Sequence, residues 1–84
     1  MLEKEKVNVI VEECVTHLKE FMKEHNFDKI TVTTMDFETI PIINEKSKLL
    51  GIDIDTDVLS YVRRECYTRG IIILRGEEYD MFYM

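Results

Sequence analysis

Only three glycines and one proline interrupt this chain of 84 residues, and their positions constrain the fold more than any other feature. Pro41, Gly51, Gly70 and Gly76 divide the chain into a few long uninterrupted stretches, so nearly all of it can be regular structure. Glycine commonly ends a helix and proline suits a helix's first turn. A chain this short makes about one domain, here read as spanning 1–84, and it buries little enough surface that a homodimer is a reasonable expectation.

Residues 3–25 read as a long amphipathic helix. Val7, Val11, Cys14, Leu18 and Phe21 recur at steps of four, three, four and three, which places them on one face, and Ile10 and Met22 widen the stripe. Val9 and Val15 fall off it and suggest a second, smaller buried surface. Asn26 is the expected stop. Lys29 to Thr34 is β-branched and alternating, which predicts a short strand. Met35 to Thr39 then reads as a polar turn. A second helix follows from about Ile40 to Leu50, with Thr39 as its cap, Pro41 in its first turn and Gly51 at its end. A third helix runs from Thr56 to Thr68, capped by Asp55 or Thr56, with Leu59, Val62 and Cys66 as its buried stripe. Ile71 to Leu74, a turn at Arg75–Glu78 and Tyr79 to Met84 complete the pattern as a strand, a turn and a final strand.

The stretch Leu50-Gly51-Ile52-Asp53, then Thr56 through Arg64, then Arg69-Gly70-Ile71-Ile72, resembles the winged helix-turn-helix domain of MarR-like and related small bacterial or phage-type regulators. In that family a Leu-Gly-hydrophobic-polar turn leads into a recognition helix that ends in Arg-Gly-hydrophobic-hydrophobic before the wing hairpin. The resemblance implies an α+β winged helix-turn-helix fold in the order helix, strand, helix, helix, strand, strand. It also implies a DNA-binding transcriptional regulator that uses helix 56–68 in the major groove and the hairpin 71–84 as wing. Ser60, Tyr61, Arg63, Arg64 and Tyr67 would then point away from the core toward double-stranded DNA. Arg64 would be suited to bidentate contact with guanine or phosphate. Arg75 would sit at the wing tip, and Lys46 and Lys48 would flank the site from the second helix.

Charge opens an alternative. The chain carries a net −6, and phosphate binding is driven by Lys and Arg. Residues 46–75 are less acidic than the rest, with six basic side chains against four acidic, or +2, which leaves −8 elsewhere. The second reading is therefore an acidic protein–protein interaction module on the same scaffold, an inhibitor or adaptor without DNA binding, acting through its acidic surface or its aromatic end. The end, Tyr79 to Met84, is two-sidedly apolar and suggests one face on the core and one on a partner, with a homodimer formed through the first helix and this strand.

Other chemistries find little support. Asp53, Asp55 and Asp57 begin like a calcium loop, but Val58 and Arg64 stand where glycine and glutamate are needed. Cys14, His17, His25 and Cys66 lack the paired spacing of a zinc site, and both cysteines lie on apolar stripes. Neither a phosphate loop nor an activated nucleophile is evident. The expectation is a non-enzyme with no metal or cofactor. No segment approaches the roughly 18 apolar residues of a membrane span. The charged start Met-Leu-Glu-Lys-Glu-Lys, unlike a signal peptide, points to the cytoplasm. In a reducing compartment both cysteines are expected as thiols.

Overall fold

Helix α1 (Lys4–Glu24) forms because its apolar residues fall on one broad stripe. Val7, Ile10, Val11, Cys14, Val15, Leu18 and Met22 are all buried, while Phe21 is only half-buried. Val15 turns inward and Val9 stays 46% exposed, so the stripe is wider on one flank only. The helix stops where Asn26 adopts φ 58, with the Phe27 amide donating to the Met22 carbonyl at 2.8 Å. The computed structural model describes residues 3–71 and 73–74.

After α1 the chain corrects the fold expectation. The strand read at Lys29–Thr34 shrinks to β1 (Ile30–Thr31), and helix α2 begins at once, running Val32–Leu50 through the residues read as a polar turn. The physical reason is a cap. Thr31 has an extended backbone, and its hydroxyl oxygen accepts the Thr34 amide at 3.0 Å, closing the first turn. Met35, Thr39, Ile43 and Ser47, four apart, form the buried edge of this helix. Two members of that row are polar but satisfied. Thr39 donates to the Met35 carbonyl at 2.7 Å, and Ser47 donates to the Asn44 carbonyl at 3.0 Å. Pro41 therefore lies inside the helix and not in its first turn. Having no N–H, it leaves the Phe37 carbonyl without its helical donor. Gly51 closes α2 at φ 68, and the Ile52 amide reaches back to the Ser47 carbonyl at 2.9 Å.

Helix α3 (Thr56–Thr68) starts where the Asp55 carboxylate accepts the Val58 amide at 2.9 Å. It buries Val58, Tyr61, Val62 and Cys66, with Leu59 half-buried. A second two-residue strand, β2 (Ile73–Leu74), pairs in parallel with β1, Ile30 beside Ile73 and Thr31 beside Leu74.

The described residues are thus mostly helical and do not form a winged helix with a two-stranded hairpin wing. A wing needs consecutive antiparallel strands. Among the described residues the only pairing is the short parallel one, formed across the whole span of α2 and α3. The final strand read at Tyr79–Met84 and the turn at Arg75–Glu78 lie outside the described residues.

Packing is organised around α1. Both α2 and α3 lie extensively on α1, whereas α2 and α3 meet each other only sparsely. Among the described residues, fifteen apolar side chains drawn from all three helices, β1 and Ile71 make one buried cluster. Among the described residues no buried side-chain polar atom lacks a hydrogen-bond partner, as a well-specified core requires.

Candidate interaction surface

The sparse contact between α2 and α3 leaves a cleft on the molecule's outer side. Asp36, Thr39, Ile40 and Ile43 of α2 and Leu59, Val62 and Arg63 of α3 line it, enclosing about 190 Å³. An apolar cavity of about 150 Å³ accepts benzene, so this cleft has room for one aromatic or large aliphatic side chain. At its rim Arg63 spans the two helices, with Nε 3.1 Å and Nη2 2.5 Å from the two Asp36 carboxylate oxygens. Beside it on α2 stands Phe37, 77% exposed, with Ile40, 44% exposed, one turn further along. Tyr67, also exposed, lies one turn beyond Arg63 on α3.

The residues read as a DNA site distribute themselves unevenly over this architecture. Ser60, Arg63, Arg64 and Tyr67 share the outward side of α3, all exposed. Arg63 is held by Asp36. The Arg64 guanidinium lies 5.8 Å from the centre of the Tyr61 ring, within the range of a cation–π contact. Tyr61 itself does not point away from the core. It is 7% exposed and turns toward α1, where its hydroxyl donates to Asn8 Oδ1 at 2.6 Å. Lys46 likewise faces α1, its Nζ 4.0 Å from a Glu13 carboxylate oxygen. Lys48 is exposed on α2, and Arg75 lies outside the described residues. Sequence reading missed Asp36 and Phe37, because it takes Met35–Thr39 for a turn, and it places Ile40 only at the start of the second helix with no site role. The four-residue recurrence of Met35, Thr39, Ile43 and Ser47 was the available signal.

The opposite side of the molecule is closed. His17 Nε2 donates to Glu38 Oε1 at 2.9 Å, joining α1 to α2, and the Tyr61–Asn8 bond joins α3 to α1. Cys14 and Cys66 are free thiols, fully buried. Burial pushes the Cys14 thiol up to about 12, with the nearby Cys66 and Glu13 adding to the effect. Burial likewise pushes Cys66 up to about 11, opposed in part by Arg69 and reinforced by Glu65. Thiolate is the reactive form, so neither cysteine is prepared to act as a nucleophile.

A second, polar cleft of similar size lies at the α2–α3 turn, lined by Glu3, Gly51, Ile52, Asp53, Asp55 and Val58. Two of its carboxylates have local work. Glu3 pairs with Lys6 at 3.6 Å and Asp55 caps α3. Among the described residues no three His, Cys, Asp or Glu side chains are grouped to hold a metal ion, and no helix is long and apolar enough to cross a membrane. Comparison with known proteins returns no matching family model, no matching curated protein and no matching solved structure.

Proposed function

We propose that this chain is a protein-interaction module whose docking face is the α2–α3 cleft with Phe37 and Ile40 beside it. One observation carries the reading: α2 and α3 pack on α1 and stand apart from each other, leaving an apolar cleft with a large exposed aromatic at its edge. Exposed aromatic side chains beside a pocket are what protein interfaces use as anchors. The fitting occupant is a partner protein that presents one aromatic or large aliphatic side chain, seated between Ile40, Ile43 and Leu59. The net charge of −6 agrees with a protein partner better than with a polyphosphate.

DNA binding stands as a second reading, favoured by one feature. The outward side chains of α2 and α3 set Lys48, Arg63 and Arg64 against Asp36, Glu45 and Asp57, a balanced patch on an acidic chain. Against it, Arg63 is already engaged by a carboxylate, and that carboxylate stands where a phosphate would approach.

The two readings separate in one pair of measurements. Peptides selected from a displayed library of amphipathic sequences on the purified protein would be tested by fluorescence anisotropy against wild type, Phe37→Asp and Ile40→Asp. The interaction reading expects both substitutions to weaken binding by about tenfold or more, the loss of a 1.4 kcal/mol contact. Random duplex DNA would be tested at about 50 and about 200 mM salt beside an Arg63→Ala/Arg64→Ala double variant. Peptide affinity indifferent to Phe37 and Ile40, together with salt-sensitive DNA binding lost in the double variant, would reverse the choice.

A further inference from the structure

We infer that the partner of the α2–α3 face is a second copy of this chain, packed about a two-fold axis with Phe37 of each copy seated in the cleft of the other. This rests on the reading of that face as a docking surface and names its occupant.

A two-fold interface uses the same patch twice, so the patch must contain both halves of every contact it makes. This one does. It carries a knob, Phe37, at 77% the most exposed of the large hydrophobic side chains among the described residues. Next to the knob lies a hole, the cleft of about 190 Å³ walled by Ile40, Ile43, Leu59 and Val62. The hole matches the knob in size, since a benzene-sized ring fits a space of about 150 Å³. The rim carries a donor and an acceptor, Arg63 and Asp36, both exposed enough to meet a second such pair.

Charge points the same way. A chain at −6 repels its own copy over most of its surface. On the outward side of α2 and α3 the balance is different: Asp36, Glu45 and Asp57 stand against Lys48, Arg63 and Arg64, so the charges cancel. That side is where two copies approach with the least repulsion, and it is also where apolar surface is left uncovered. Burying Phe37 and Ile40 in this way would add to the limited core that a domain of this size can build alone.

Sedimentation velocity on the full chain, from about 1 µM to about 200 µM, tests the inference. Wild type is expected to shift from monomer to dimer across this range. Phe37→Asp should weaken the association by about tenfold or more. Leu49→Asp serves as the control, since Leu49 is 72% exposed on α2 but lies outside the cleft and away from Phe37. It should leave the association unchanged, with circular dichroism verifying that both variants keep their helices. A saturating amount of the selected peptide should dissociate the wild-type dimer.

A wild type that stays monomeric at the highest concentration would overturn the inference, as would equal effects of the two substitutions or a peptide that binds without dissociating the dimer. The docking-face reading fails separately. Peptide binding that depends on Phe37 in a monomeric protein leaves that reading standing and removes the second copy. Peptide binding indifferent to Phe37, with no self-association, removes both.

Discussion

The two sides of this small protein are built from the same helices and differ in how completely they close. Where α2 and α3 meet α1, the seam holds the apolar stripe of Val7 to Met22 and is bridged by His17–Glu38, Asn8–Tyr61 and Lys46–Glu13. Where α2 and α3 face each other, the seam is open over Ile40, Ile43 and Leu59 and is crossed by the Asp36–Arg63 pair. The closed side carries stability, and the open side is left for binding. A single helix with apolar residues on more than a third of its circumference can satisfy two neighbours without bringing those neighbours together.

That contrast can be broken first at the core. Leu18→Ala removes a fully buried side chain of α1 and should cost about 3 kcal/mol in urea unfolding, in the middle of the range for such cavities. Leu49→Ala, on an exposed position, should cost almost nothing. If the two losses are similar, α1 is not the spine of the fold.

Alkaline pH probes the closed seam from within. The Cys14 and Cys66 thiols have an ordinary value of 9.0 and are raised to about 12 and about 11 by burial. A thiol with a raised folded value contributes its full share of stability below pH 9. Above that the unfolded chain releases protons that the folded one retains, so stability falls as pH rises toward 11 and 12. Urea midpoints at a series of pH values should decline above 9, and Cys14→Ala should show a shallower decline than wild type. Alkylation by iodoacetamide near neutral pH should be slow until urea opens the core.

Tyr61→Phe sharpens the same seam with a smaller effect. It deletes the bond to Asn8 while keeping the ring, and about 1 kcal/mol should be lost. A null result would place the Tyr61 hydroxyl in solvent and restore it to the outer face of α3. At the open seam the expected effect is smaller again. Arg63→Ala breaks a partly exposed pair and should change stability by about 0.5 kcal/mol, a difference that shrinks at high salt.

The closed side was also the more legible one. Helix α1 showed through the three- and four-residue spacing of Val7 to Phe21, and α3 through Asp55, Val62 and Cys66, with its limits at Thr56 and Thr68 as read. The start of α2 was not legible, because Ile30-Thr31-Val32-Thr33-Thr34 has the β-branched composition of a strand. Tertiary context overrode that preference through the Thr31 cap and the anchoring of Met35 in the core. Pro41 misled for a related reason. Proline marks a first turn more often than a helix interior, and here the helix passes through it. The parallel pairing of β1 with β2 joins residues more than forty apart, which no local pattern reports. The cleft is a property of how α2 and α3 stand apart, so its residues could be recognised only once both were placed on α1. Arg63 and Arg64 were rightly noticed as outward-facing on α3, but their engagement with Asp36 and Tyr61 was invisible in sequence.

The central claim is that binding occurs on the open seam, and amide chemical-shift mapping tests it most directly. A uniformly ¹⁵N-labelled sample would be titrated with the selected peptide. The account expects the largest shifts along Asp36–Asn44 and Leu59–Tyr67, with the solvent face of Lys4–Glu24 unmoved. Shifts concentrated on that face of α1, with α2 and α3 unchanged, would contradict it.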